Sequence, residues 1–399
     1  MSEADVHAQK PDETIVLRLT RFVVDNTVKN PLRGIFIVLF ALLLYISLSR
    51  VVGGQYTIQQ IIQQFIFGLS QGSIYALIAL GYTLVYGILL MINFAHSEVF
   101  MMGAYGGFFA IYPMTPAAGS TFLQEHTILA LGIVFLCAML SSLVTAVLLE
   151  RIAYRPLRNA PRLVPLITAI GASITLQELA NRLFGASTRR FPDVSYYVLP
   201  QAFETCKTVP RQTEPVCTPG LDIIGGLYDV DFLGLALKIR PFSFIAFFIA
   251  VAMMFALWRF IKNTKTGKSM RAVAEDKTTA QLMGINVDRV IVITFALGAM
   301  LAGAGAVLAG FFPGNNLFTP YMGFLPGIKA FTAAVLGGIG NVPGAMFGGL
   351  FLGIVEAVGP GLLGLDNQLQ DVIAFGLLVS ILIFRPTGIF GEVVADKKV

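Results

Sequence analysis

Few side chains in this chain could do chemistry, and none is arranged as a catalyst. Lys265-Thr-Gly-Lys-Ser269 has the basic, glycine-containing end of a phosphate-binding loop. That loop also needs a glycine where Lys262 stands and a strand before it. An apolar run precedes it here, so nucleotide binding by this chain is rejected. Asn93-Phe-Ala-His-Ser-Glu98 interrupts two apolar runs and sets an imidazole near a carboxylate. His96 titrates in the range a proton relay needs. No second acid accompanies Glu98 there, so a structural hydrogen-bonded break is the preferred reading. Glu178 and Glu356 fall in or near other apolar runs, where each either faces a polar path or pairs within the bundle. Cys137 lies in an apolar run and reads as packing. Cys206 and Cys217 share one polar loop; outside the cell they can close a small disulfide ring, and two free thiols are the alternative. The cysteines lack metal-site spacing, and no Gly-x-Ser-x-Gly or paired-histidine motif occurs. No enzyme, no metal site and no cofactor bound by this chain are expected.

The elements that carry these residues are membrane helices. The chain is 56% hydrophobic and 13% charged, with a mean hydropathy of +0.75. Soluble domains carry about 25% charged residues, so the fold class is an all-α polytopic membrane protein. A net charge of +5 is small for 399 residues and calls for no nucleic-acid partner. Met1–Lys29 is polar and mixed in charge, without an apolar core before a small-residue cleavage site, so no cleaved signal peptide is expected.

Runs of about 17–25 apolar residues mark spans. They are Gly34–Val52, Phe65–Met91, the short Val99–Tyr112, Ile128–Leu149, Leu163–Leu183, Phe242–Ile261 and Val290–Phe312. Three more stretches follow, Phe324–Leu336, Ala345–Val358 and Val372–Phe384. The total is about ten transmembrane helices, with Phe324–Leu336 short enough to be re-entrant. The polar piece Gln55–Gln64 is expected to lie at the interface. Arg151, Arg155, Arg158 and Arg162 crowd one short loop, which the positive-inside rule makes cytoplasmic. Counting from it puts residues 1–33 and the tail 392–399 in the cytoplasm, the long proline-rich loop 184–241 outside, and the loop 262–289 inside. The membrane-spanning core is then 34–391. The outer loop has room for a few short strands.

Loop 262–289 is charged between two apolar runs. Within it Met270–Met283 reads as one short helix that Gly284 stops. A helix held out into the cytoplasm is poorly placed for chemistry and well placed to be gripped by a partner. Glycines cluster at Gly337–Gly349, with Asn341 and Pro343 among them, and recur four apart at Gly68/Gly72, Gly103/Gly107 and Gly349/Gly353. Such spacing lets helices approach closely.

Three blocks carry a specific resemblance. They are Tyr75–Gly87 with Met91–Val99, then Ala274–Arg289, then Lys329–Gly349 with Arg385–Gly391 closing the chain. The chain resembles the integral permease subunits of branched-chain amino acid ABC transporters, the LivH branch. Two departures are Ser97, where that family usually has glycine, and the length of Arg189–Arg240. The resemblance implies a second related permease, two cytoplasmic ATPase subunits that hold the ATP, and a periplasmic substrate-binding protein. The setting is the inner membrane and its lipid. It implies that Arg271–Ile285 is a coupling helix: Ala274, Ala280 and Gly284 let it sit close to an ATPase, while Arg271, Glu275, Asp276 and Ile285 complete the contact surface. Tyr82, Asn93, His96 and Asn341 are the candidate lining of the translocation path. For a zwitterion with an apolar side chain that path needs few polar groups and no deep charge. Urea or short amides are the alternative cargo, and a stand-alone ion-coupled carrier is the alternative machine.

Overall fold

A computed structural model describes residues 31–391 except 158–159, 162, 193, 195–196, 199–203, 208–215, 220, 223, 225, 233–234, 313–316 and 386. The terminal segments 1–30 and 392–399 lie outside the described residues. Among the described residues ten helices form the bundle. They begin with α1 (Pro31–Val52), α2 (Ile58–Leu89), α3 (His96–Ile111), α4 (Thr127–Leu149) and α5 (Leu163–Phe184). After α6 (Pro241–Asn263) come two short helices, α7 (Lys265–Glu275) and α8 (Lys277–Leu282). The bundle is completed by α9 (Val287–Gly310), α10 (Phe324–Gly337), α11 (Val342–Leu363) and α12 (Gln370–Phe384).

The centre is α2, buried from Gly72 to Val85 because α9, α10 and α11 all pack on it. Its tightest neighbour is the antiparallel α11. Gly68 faces Ile354 and Ala357, Gly72 faces Leu350, and Gly353 and Gly349 face Gly72 and Ala76 in return. A Cβ on Gly353 would fall on the Gly72 backbone. Lipid chains are as apolar as leucine, so close backbone approach of this kind is what holds membrane helices together.

Seven helices among the described residues are long and apolar enough to cross a membrane, fewer than the ten expected. Two of the three have a structural cause: α3 has 16 residues and α10 has 14, and both start inside the bundle; the third, α1, is fully described only over Leu42–Val52. The α3 residue His96 abuts Gly81, two turns before α2 ends, and Gly323 and Gly327 at the start of α10 press on Ser97. The polar piece Gln55–Gln64 is not separate from the second span. Residues from Ile58 onward are the first turns of the 32-residue α2, started by a capping box between Thr57 and Gln60.

Seven short strands occupy the segment between α5 and α6, in keeping with the few strands expected there. They are β1 (Arg189–Arg190), β2 (Tyr197–Val198), β3 (Glu204–Lys207), β4 (Val216–Pro219), β5 (Leu221–Asp222), β6 (Tyr228–Phe232) and β7 (Leu235–Ile239). β1 pairs antiparallel with β8 (Leu317–Phe318), tying this segment to the chain that leads into α10. Phe108, Phe191 and Phe318 close the bundle beneath the pair, with ring centroids 5.2–6.1 Å apart. The guanidinium of Arg189 lies 5.3 Å from the Phe109 ring and donates to the Phe184 carbonyl at 2.6 Å.

Gly72→Leu or Gly353→Leu is expected to destabilise the bundle by about 1–3 kcal/mol or more, since a backbone neighbour cannot move aside. Gly132→Leu and Gly171→Leu, whose Cβ positions meet open space, are expected to leave stability unchanged. Thermal unfolding of the four variants in detergent checks both halves.

Candidate functional site

The first feature of the site is a break in the helices. After Leu89 the chain turns at Leu90, the only described non-glycine residue with positive φ (55°). It then climbs back as far as the level of Gly81 before α3 begins. Asn93 and Ala95 supply the carbonyls that receive the first α3 amides, 3.1 Å to His96 and 3.2 Å to Glu98. The Asn93 side chain is buried and accepts from the Tyr154 hydroxyl. The His96 ring packs edge-on against Tyr82, centroids 4.9 Å apart. Opposite this break the chain from β8 descends to Gly323 and starts α10 against Ser97. Two helix N-termini, those of α3 and α10, therefore meet at Ser97 and Gly323.

Glu98 lies between them and is completely buried. Its Oε1 accepts from Gln177 Nε2 at 2.8 Å, Ser173 Oγ at 3.1 Å and Ser97 Oγ at 3.2 Å. Its Oε2 has no hydrogen-bond partner. That oxygen would be 3.0 Å from a Cβ built on Gly323, so it faces the residue that starts α10. Ser97, Ser173 and Gln177 line a cavity of about 700 Å³ between α5 and α10. Its other walls are mostly apolar, from Phe94, Ile170, Ile174, Phe324, Leu325 and Ile328, with Tyr82 and Tyr321 at the sides. A volume of this size holds a small solute.

A second polar cluster ties α10 to α11 and α12. Lys329 is buried and forms ion pairs with Glu356 and with Asp371, the latter at 2.6 Å. The Lys329 ammonium lies 5.8 Å from the Tyr75 ring centre, and Gln71 donates to the Tyr75 hydroxyl at 2.7 Å. Glu356 also reaches the wall of a separate cavity of about 370 Å³ that Gln63, Gln64, Lys238 and Arg240 line.

The end of the bundle opposite the strands carries α7 and α8. The expected single helix Met270–Met283 is broken at Asp276, whose backbone is extended (φ −154°, ψ 113°). The cause is local: the Asp276 carboxylate accepts from the amides of Thr278 and Thr279 and so starts a new helix. Lys265–Ser269 is the first turn of α7, with Thr264 capping Gly267. Met270, Val273 and Ala280 are buried against the chain itself, whereas Arg271, Ala274, Glu275, Asp276 and Gly284 are exposed and Ile285 is half-buried. Gly284 turns the chain with φ 81°, and beside it Leu282 and Met283 stand 83% and 77% exposed.

Of the sequence-derived path residues, Tyr82, Asn93 and His96 come together at the helix break. Asn341 is engaged elsewhere: it caps α11 by accepting from Gly344 at 3.1 Å and donates to the Phe390 carbonyl at 3.1 Å. The β3–β4 register sets Cys206 opposite Cys217, but their side chains lie outside the described residues. Sequence reasoning overlooked Ser173, Gln177, Lys329, Asp371, Leu282 and Met283. A lysine inside an apolar run was the available signal for Lys329; serine and glutamine on α5 carry none. Among the described residues no three of His, Cys, Asp and Glu gather as metal ligands.

Residues 64–382 match the model of a family described as the permease component of branched-chain amino acid transport systems. The chain is 41% identical to the high-affinity branched-chain amino acid transport permease BraD of Pseudomonas aeruginosa, over 84% of this chain and 97% of that protein. It is equally similar, at 41% over 84% of this chain and 97% of theirs, to the LivH permeases of Salmonella typhimurium and Escherichia coli K12. No solved structure matches it.

Removing one partner of a buried ion pair leaves the other charge stranded, which costs about 3–5 kcal/mol. Lys329→Met alone is expected to be that destabilising. Lys329→Met combined with Glu356→Met is expected to cost clearly less than the two single changes added, because Asp371 is partly exposed and can turn to water. A double-mutant cycle of unfolding in detergent measures the difference.

Proposed function

We propose the following role for this chain, which belongs to the permease-component family of branched-chain amino acid transport systems. It is one of two related membrane subunits that form the path of an ATP-driven importer for branched-chain or other neutral amino acids. The strand end faces outward, toward a periplasmic binding protein that delivers the solute. The end with α7 and α8 faces the cytoplasm, where two ATPase subunits dock, and both termini lie on that side. The solute passes along the cavity between α5 and α10, whose apolar walls suit an aliphatic side chain.

The observation that carries the ATP-driven reading is the pair Leu282 and Met283, held out beyond a buried platform. Adjacent large apolar side chains this exposed on a water-facing helix end suit burial in a partner. Arg271, Glu275 and Asp276 frame them with charge that can fix the register of docking. A carrier that works alone on an ion gradient has no use for such a surface. ATP binding closes the ATPase pair and moves the α7–α8 platform. The platform is packed on the ends of α2, α6 and α9, so its displacement reaches the helices that wall the path. Nucleotide acts through its differential affinity for the two states.

Uptake of labelled leucine and labelled urea, measured in cells with and without the gene, tests the cargo. Loss of leucine uptake with competition by valine supports the proposal; loss of urea uptake alone replaces it with a urea or short-amide importer. Leu282→Asp combined with Met283→Asp is expected to abolish uptake at an unchanged level of membrane-inserted protein. Normal uptake by that variant overturns the docking assignment.

A further inference from the structure

A carboxyl group buried at the meeting point of two helix starts is costly to keep in a membrane unless something uses it. Glu98 is held on one side only. Three donors converge on Oε1, while Oε2 is unpartnered and faces Gly323 at the start of α10. The three donors, Ser97, Ser173 and Gln177, also form the polar part of the cavity wall. A cation that enters the cavity therefore meets a carboxyl group one side chain deep. The same corner carries the opposite preference. In the first turn of α10 the Phe324 amide donates to the Tyr321 carbonyl at 3.4 Å and Pro326 lacks an amide, which leaves the Leu325 amide without a partner within the helix. Helix starts of this kind favour anionic groups.

We infer that this corner is a zwitterion site within the membrane path, in which Glu98 accepts the solute's ammonium group while the start of α10 receives its carboxylate. Phe94, Ile170, Ile174 and Ile328 then surround an aliphatic side chain. The ligand class is an α-amino acid with an apolar side chain. Selection is thus made twice, by the delivering receptor and again by the permease. The inference rests on reading the cavity as the solute's passage. It replaces the expectation of a path without deep charge. Glu98 stabilising the α10 start for packing alone is the competing role, and the two differ in whether a ligand answers to the carboxyl group.

The test is ligand binding to the membrane complex purified through this chain, without receptor or nucleotide. Saturation-transfer NMR is run with leucine, 3-methylbutylamine, 4-methylpentanoate and urea. Leucine is expected to bind best and 3-methylbutylamine more weakly, with 4-methylpentanoate and urea showing no binding. Glu98→Gln keeps the shape and loses the charge, and it is expected to weaken leucine at least about tenfold at an unchanged melting temperature. Equal binding of leucine by wild type and Glu98→Gln overturns the inference, as does a lowered melting temperature with unchanged affinity. Leucine uptake in cells with no leucine binding to the purified complex also overturns it while leaving the importer reading intact. Leucine binding that depends on Glu98, in a protein whose deletion spares leucine uptake, upholds the site and overturns the cargo assignment instead.

Discussion

Backbone amides and carbonyls have no water to turn to inside a bilayer, and this constraint shapes the molecule. A helix can stop at membrane depth only where protein surrounds the stop. The chain stops twice there, before α3 and before α10, and places the two stops against each other. Each then supplies what the other lacks. Ser97 and Glu98 on α3 fill the space beside Gly323 and Gly327, and the glycines let the chains approach closely enough for that to work. The burial of α2 follows from the same arrangement, because the returning chain, α9 and α11 must all lean on it to seal the breaks.

Charge at depth is treated in two different ways. The Lys329–Glu356–Asp371 cluster sets one cation between two carboxylates and links three consecutive helices, so its work is to fix how they sit. Glu98 is balanced by hydroxyl and amide donors instead of by a cation. Glu98 keeps one oxygen unpartnered and lies behind Ser97, Ser173 and Gln177, which line the larger cavity.

The two ends of the bundle differ as strongly as the two charge clusters. At the strand end, aromatic rings and the β1–β8 pair seal the helices to one another. At the α7–α8 end the platform is packed firmly below, through Met270, Val273 and Ala280, and left uncovered above, at Leu282 and Met283. Packed in this way, the seat can pass a push on Leu282 and Met283 to the helices below it, as the proposed docking of an ATPase requires.

Much was legible in the sequence because the membrane simplifies the problem. Length and hydropathy of a run nearly determine a span, so the all-α class, the crossing helices and the polar platform between α6 and α9 could be read directly. The glycine pairs on α2 and α11 announced close packing, and Gly284 announced a stop. Tyr82, Asn93 and His96 were found because polar residues stand out against apolar neighbours. What the sequence left open depends on contacts between distant segments. Hydropathy cannot tell a short span from a helix that begins halfway down, because that depends on what covers the break. Asp276 divides the cytoplasmic-looking helix through a cap that competes with helix continuity on nearly equal terms. The company Glu98 keeps is drawn from α5, 75 and 79 residues away, and Lys329 finds its partners on α11 and α12. Only the folded bundle, by bringing those helices to one depth, decides which groups each buried carboxyl meets.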